Sequence, residues 1–270
     1  MQLPQPVLVD LLCVGVACYD LTFSVERHVG PNEKIRASDL VGCGGGLAAN
    51  AAVTAAKLGY TVAFVGYLGQ DLYGDEHLRE FREAGVLTDF VVRGAWPTSL
   101  SAILVQPDGK RALVNYGGGR AIPLADQVDL TRLRPRSILL DGHHLDVARP
   151  LVERARREGI PTVLDADSVH PGTEALMDRV EFLVASERFA QVFTGEEDPE
   201  AWVERLSAHA PSVVVTLGEE GLIWRNRADS RFGPSQGRFP AFPVPVVDTT
   251  GAGDAFHGAF AARLSRPVAW

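Results

Sequence analysis

The stretch Asp248-Thr249-Thr250-Gly251-Ala252-Gly253-Asp254-Ala255-Phe256-His257-Gly258-Ala259-Phe260 joins a glycine-hinged turn, a helix start and a carboxylate in one segment. Asp248, Thr249 and Thr250 are short polar residues suited to an N-terminal cap, and Gly251 and Gly253 let the backbone turn sharply and approach a ligand. Beyond Asp254 the apolar residues Ala255, Phe256, Ala259, Phe260 and Leu264 recur at helical spacing. The pattern predicts that the amides of Gly251, Ala252 and Gly253 point out of a helix N-terminus, where free donors and the positive dipole end attract an anion. A carboxylate in that place is repelled by a bound anion unless it has chemistry to perform. Asp254 is thus a candidate general base beside an anion hole. The plain alternative is a capped helix whose Asp254 only complements the dipole.

The chain has 270 residues, 46% of them hydrophobic and 22% charged, with a formal net charge of −8. That length suits one large α/β domain or two small ones with a substantial core. The acidic balance argues against nucleic acid as the main partner, because phosphate backbones call for clustered Lys and Arg. A small anionic substrate stays compatible with local basic groups. No apolar run reaches the roughly 20 residues that span a bilayer, and Met1-Gln2-Leu3-Pro4-Gln5-Pro6 lacks the basic start of a secretion signal. No membrane partner is expected, and a cytoplasmic location is the default. Cys13, Cys18 and Cys43 are odd in number and lack C-x-x-C spacing. This disfavours a disulfide framework or structural zinc and suits small buried hydrophobes.

Residues 8–17 are mostly apolar, as a central parallel strand covered on both faces should be, and they lead to Cys18-Tyr19-Asp20. A carboxylate beyond the C-terminal end of such a strand lies where open α/β sheets bind ligands, although Asp20 reads equally well as a turn former. Gly42-Cys43-Gly44-Gly45-Gly46 is a glycine cluster opening an alanine-rich helix that stops at Leu58-Gly59. Gly44-x-Gly46-x-x-Ala49 has the outline of a dinucleotide fingerprint. It does not directly follow the first strand, however, and no acidic residue stands about 20 positions on. A Walker A loop is excluded because no Gly-Lys-Ser/Thr follows.

Residues 61–66 read as a strand, followed by an amphipathic helix that Asp71 caps and that ends near Gly85-Val86. Residues 99–116 alternate apolar and polar around the turn Pro107-Asp108-Gly109-Lys110, which predicts a β-hairpin. Strands at 137–141, 161–165, 181–185 and 212–217 then alternate with helical stripes such as Ala148, Leu151, Val152 and Ala155, the pattern of a mostly parallel sheet. His143 and His144 are adjacent and diverge, so substrate-side or capping roles are expected rather than shared metal ligation. Asp165 and Asp167 close a strand at the ligand edge, placed for substrate or for water around magnesium. Residues 231–245 form a loop and short edge strand.

Asp248, Thr249, Gly251, Ala252, Gly253, Asp254 and Phe256 spell D-T-x-G-A-G-D-x-F, which resembles the C-terminal signature of the ribokinase-type, or pfkB-type, carbohydrate kinases. The resemblance extends to Gly45, Gly46, Ala48 and Asn50 as G-G-x-A-x-N and to Gly66, Gly69, Asp71 and Gly74 as G-x-x-G-x-D-x-x-G. Thr216, Gly218 and Gly221 match a T-x-G-x-x-G element. It implies one domain over residues 1–270, a ribokinase-like three-layer α/β sandwich with a mostly parallel central sheet. A small β-sheet lid would come from parts of 21–41 and 99–116. The implied activity is transfer of the γ-phosphoryl group of ATP to a hydroxymethyl group of a small carbohydrate, with magnesium and a monovalent cation as accompanying ions.

By the same resemblance Asp254 takes the proton from the attacking hydroxyl while the Gly251, Ala252 and Gly253 amides stabilise the transferred group. Asp20, Gly44, Gly45, Gly46, Asn50, Arg111 and Asp248 stand on the acceptor side. Arg111, Asn115 and Arg120 are polar candidates read from the hairpin, each more readily a solvated hairpin residue. Thr216, Gly218, Gly221 and Ser186 border the nucleotide. The family's N-x-x-E motif is altered: Ser186 stands for the asparagine and Phe189 for the glutamate, leaving Glu187 as a partial metal-side carboxylate. This points toward the ketohexokinase or sulfofructose-kinase branches and a ketose acceptor such as fructose or a sulfo-sugar. Only residues 255–270 follow Asp254, where the family normally adds two helices that wall the adenine, so that wall is expected to be missing or short. The alternatives are a nucleoside kinase of the same fold and a sugar-binding protein with impaired nucleotide turnover. A homodimer through the lid edges is also expected.

Overall fold

The computed structural model describes residues 5–117, 124–246 and 248–266. Its centre is β1 (Val7–Val14), which pairs in parallel with β4 (Val62–Gly69) on one side and β9 (Leu133–Leu140) on the other. Beyond β9 the sheet continues through β10 (Thr162–Ala166), β11 (Phe182–Ser186) and β12 (Ser212–Thr216), all parallel. The antiparallel β13 (Leu222–Asn226) and β14 (Ser235–Phe239) end it on that side. The short β5 (Val86–Leu87) and β6 (Val91–Gly94) both pair with β4 and complete a ten-stranded sheet.

Both faces of this sheet are covered, which is why its strands are near-continuous apolar runs. Leu11, Cys13, Phe64, Val163 and Val184 pack toward α1 (Leu47–Lys57), α2 (Leu72–Ala84) and α7 (Ala252–Arg263). Leu12, Val14, Leu140, Leu164 and Val213 pack toward α3 (Leu145–Glu158), α4 (Pro171–Met177), α5 (Glu187–Thr194) and α6 (Pro199–Leu206). The result is the expected three-layer α/β arrangement. Asp71 caps α2 by accepting from the Gly74 amide at 2.8 Å, and it also holds the Thr98 amide and hydroxyl at 2.7 Å each. No helix among the described residues is long and apolar enough to cross a membrane.

A second, four-stranded sheet stands apart as the lid, in the order β3 (Asp39–Gly45), β2 (Cys18–Ser24), β7 (Ser99–Val105), β8 (Arg111–Tyr116). The 99–116 hairpin forms as the turn chemistry requires, with Gly109 at φ 80°. The first half of the lid is wider than the 21–41 span. β2 begins at Cys18 and β3 runs to Gly45, so Asp20 lies within a strand and Gly42–Gly45 are strand rather than loop. Packing explains this use of glycine. A Cβ on Gly45 would sit 2.2 Å from Asp20 Oδ2, and one on Gly44 would sit 2.6 Å from the His77 ring on α2. The Gly44 amide donates to Glu80 Oε2 of α2 at 2.7 Å, tying the lid to the core.

Small residues bring α1 and α7 together. Ala48, Ala51, Ala52 and Ala55 of α1 are fully buried, and a Cβ on Gly258 of α7 would meet the Ala51 carbonyl oxygen at 2.3 Å. Gly258→Ala is expected to lower the unfolding free energy by about 1–3 kcal/mol, the usual cost of overpacking. Urea denaturation followed by circular dichroism reads this as a lower midpoint, and an unchanged midpoint would contradict the close helix contact.

Candidate functional site

The opening segment forms a turn and helix much as expected, with two differences in detail. Gly251, at φ 72°, is the N-cap residue of α7 and supplies no side-chain cap. Asp248 instead closes a turn before the helix, its Oδ1 accepting from the Thr250 amide and hydroxyl at 2.8 Å each. These two bonds hold the Asp248 carboxyl below its ordinary range. The Ala252 amide is also spoken for, donating to the Thr249 carbonyl at 3.1 Å. Of the three amides Ala252 is thus the one that already has an acceptor within the chain. The Gly251 and Gly253 amides have no acceptor among the described residues, and the space a Gly253 Cβ would occupy is open.

Asp254 stands in the first turn of α7 and accepts from Asn50 Nδ2 of α1 at 2.7 Å. The glycine-alanine-asparagine segment and the carboxylate motif thus meet directly. Burial pushes the Asp254 carboxyl above the ordinary range, while the Asn50 bond and the charge of His257 pull it back. A carboxylate raised in this way is a stronger base for a hydroxyl proton.

Asp20 lies on the lid side of the same region. Its carboxylate accepts from the Cys18 thiol at 3.3 Å and lies across the Gly45 backbone. Burial, then the charge of Asp20, drives the Cys18 thiol far up, and Asp254 adds to the effect from across the gap. Burial likewise raises the Cys13 thiol, whereas Cys43 is exposed on the lid and is not the buried hydrophobe expected. Gly46, at φ 105°, turns the chain from β3 into α1, where a Cβ would meet the Val16 carbonyl oxygen at 2.5 Å. Arg111 of β8 reaches from the lid to the turn before α7, its guanidinium donating to Thr250 Oγ1 at 2.7 Å. Asn115 is exposed on the same strand, and Arg120 lies outside the described residues.

Among the residues expected to border the nucleotide, the β11–β12 register sets Ser186 beside Thr216 at the C-terminal sheet edge. The Ser186 hydroxyl is committed within the chain, accepting from the Phe189 amide at 3.1 Å and donating to the Asp167 carbonyl at 2.9 Å. It caps α5, a structural duty that sequence alone did not separate from ligand binding. Gly218 and Gly221 have φ of 57° and 93°, and a Cβ on Gly221 would collide with the Phe239 carbonyl oxygen at 2.0 Å. Glu187 is exposed in the first turn of α5 and accepts from Gln191 Nε2 at 3.3 Å. Among the described residues no group of three or more His, Cys, Asp or Glu side chains gathers to cage a metal ion.

Asp141 and His257 were not singled out as site residues in the sequence. Asp165 does not face the ligand edge as expected. It shares the α7 face of β10 with Val163 and is buried against His257. Asp141, at the end of β9, accepts from the Val16 amide at 2.7 Å and pairs with His143 Nδ1 at 3.2 Å. Burial works against a charged His143, but the bond and charge of Asp141 outweigh it and raise the ring. His144 occupies the N-cap position of α3 without a side-chain cap. The cue for His257 was its place three residues after Asp254, one helical turn along the same face.

A family model for pfkB family carbohydrate kinases matches residues 9–268. Ribokinase of Bacillus subtilis (strain 168) is 26% identical over 95% of this chain and 86% of its own length. Deoxyribokinase of Salmonella typhi is 27% identical over 93% of this chain and 84% of its length. The structure of Arabidopsis thaliana ribokinase complexed with ribose and ATP superposes with a TM-score of 0.77 at 25% identity, covering 97% of this chain and 86% of that one. With the signature turn, the Asn50–Asp254 contact and the four-stranded lid in place, the chain belongs to the pfkB family of carbohydrate kinases.

Proposed function

We propose that this kinase transfers the γ-phosphoryl group of ATP to a hydroxymethyl group of a pentose, with ribose or 2-deoxyribose as the acceptor. The observation that carries the chemistry is the 2.7 Å bond from Asn50 to Asp254, which joins a sugar-side motif to a carboxylate at an anion-binding helix start. The choice of acceptor rests on relatives named as ribokinases and deoxyribokinases. A ketose or sulfo-sugar acceptor is the second reading, supported by Ser186 and Phe189 where the N-x-x-E residues are expected.

In this reading Asp254 removes the proton from the acceptor hydroxyl as its oxygen bonds to the γ-phosphorus. The bond from that phosphorus to the bridging oxygen breaks, and ADP leaves with the electron pair. The Gly251 and Gly253 amides and the positive end of α7 stabilise charge on the transferring group. Asp20 and Asn50 hold sugar hydroxyls, with Gly44, Gly45 and Gly46 letting the acceptor approach the backbone. Asp248 shapes the turn, and Arg111 draws the lid over it through Thr250, which excludes water. Thr216, Gly218 and Gly221 border the nucleotide phosphates. When bound, magnesium neutralises charge on the triphosphate. The protein offers it no cage among the described residues, so ATP phosphates and water would supply most of its ligands, with Glu187 as a partial one.

An ADP-release assay with ribose, 2-deoxyribose, fructose, a sulfo-sugar and adenosine tests this directly. The pentoses are expected to give the highest kcat/KM, and Asp254→Asn to lower turnover by about 10²–10⁴-fold with the fold intact. Efficient turnover of fructose or a sulfo-sugar alone would establish the second reading, and adenosine alone a nucleoside kinase. Sugar binding without ATP turnover would mark a binding protein. Running the panel with and without potassium reads the monovalent-cation requirement.

A homodimer through the lid is proposed from Leu40, Val41, Leu113, Val114 and Tyr116, large apolar residues exposed on its two edge strands, β3 and β8. Sedimentation equilibrium is expected to give twice the chain mass, falling to one on Leu113→Asp with Val114→Asp; a monomeric wild type would remove the proposal.

A further inference from the structure

Asp165 and His257 form a buried pair that the steps above do not use. Asp165 on β10 is 1% exposed, and neither of its carboxylate oxygens has a hydrogen-bond partner among the described residues. His257 on α7 is 3% exposed. Its Nδ1 lies 2.7 Å from the Gly253 carbonyl oxygen, and its Nε2 lies 3.1 Å from that of Val184. Asp165 Oδ1 stands 3.4 Å from the same Nε2. Carbonyl oxygens only accept, and a neutral imidazole donates from one nitrogen alone. A neutral ring would therefore set one bare nitrogen lone pair against a carbonyl oxygen inside the core, where such a contact is repulsive and unsolvated. Both contacts are satisfied only when both nitrogens carry protons.

We infer that His257 is a buried imidazolium with Asp165 as its counter-ion, and that it is a positioning residue for phosphoryl transfer. The inference rests on the kinase reading of Asp254. Nδ1 holds the carbonyl of the peptide unit whose other end is the Asp254 amide. Donation to that carbonyl fixes the peptide unit that joins Gly253 to Asp254, and with it the start of the base's side chain. The cation also stands one helical turn below the Gly251–Gly253 amides, adding to the positive end of α7 where the phosphoryl oxygens gather charge.

The charges around the pair act on the base in a definite sense. His257 draws the Asp254 carboxyl down, while Asp167 after β10 and Asp141 after β9 push it up. Burial pushes the Asp165 carboxyl up to about 7, the charge of His257 draws it down, and Asp254, Asp141 and Asp167 add to the rise. From β11 the pair meets the Val184 carbonyl. The 3.4 Å approach of Asp165 Oδ1 to Nε2 makes Asp165 the carboxylate that balances the imidazolium, while Asp254 keeps its bond to Asn50. A buried ion pair adds little net stability, so its worth here is geometric.

Two measurements decide it. Nitrogen-15 NMR of the histidine side chains at pH 7.5 on the wild-type protein is expected to show protons on both His257 ring nitrogens, and a ring with one proton would overturn the inference whatever the enzyme turns over. Asp165→Asn keeps the volume and removes the counter-charge, so the ring should fall to one proton; a ring still doubly protonated with full kcat would overturn the pairing. In His257→Asn, kcat is expected to fall at least about tenfold while the acceptor KM stays within about twofold. Loss of the cation raises the Asp254 carboxyl, so the acid limb of the kcat/KM profile should move to higher pH. Wild-type kcat with an unmoved limb would overturn the positioning role, and an unfolded variant leaves the decision to the NMR and Asp165→Asn results.

Discussion

The hydrogen bond from Asn50 to Asp254, 2.7 Å long, connects side chains 204 residues apart, and the rest of the site depends on it. It exists because α1 and α7 lie close enough for Gly258 to touch the Ala51 backbone, a distance only small residues allow. Alanine in α1 is therefore more than a helix former. It sets how far Asp254 stands from Asn50, and hence, under the proposed mechanism, where an acceptor hydroxyl sits. The lid joins this arrangement from two directions, through Glu80 on the Gly44 amide and through Arg111 on Thr250. Asp20, folded over the side-chain-free face of Gly45, belongs to the lid by pairing and to the site by position.

Electrostatics around the base is a balance between burial and nearby charge. Burial alone would leave Asp254 protonated more of the time and so less available as a base. The Asn50 bond and His257 restrain that rise, and Asp141 and Asp167 work the other way. Proton acceptance and anion binding compete in so small a space, because a carboxylate beside a phosphoryl group is repelled by it. Asp254 stands on the first turn of α7 beside the Gly251 and Gly253 amides, which have no acceptor among the described residues; under the proposed mechanism the helix end holds the anion while the side chain faces the hydroxyl.

Much of this was legible in the sequence because local chemistry dictated it. The 99–116 hairpin follows from its turn residues, α2 from Asp71 as its cap, and α7 from the spacing of Phe256 and Phe260. The glycines at 42–45 were opaque, since glycine carries no strand preference of its own and they pair as strand because Asp20 and His77 need the room. The Ala252 amide turns back to Thr249, a bond no residue pattern announces. Ser186 looked free for a ligand, yet it is spent on capping α5. Asp165 could have been read better: period-two alternation puts it on the face of Val163, toward α7 and away from solvent. Its partner His257 stood in the motif itself, but only the fold shows that its two nitrogens face two carbonyls.

The central claim is that phosphoryl transfer takes place between Asp254 and the first turn of α7. A crystal structure with ribose, ADP and a fluoroaluminate mimic of the transferring group measures this most directly. The account predicts the mimic within hydrogen-bond distance of the Gly251 and Gly253 amides, with a ribose hydroxymethyl oxygen against the Asp254 carboxylate. A mimic bound away from that turn, or a sugar whose nearest carboxylate is another residue, would contradict it.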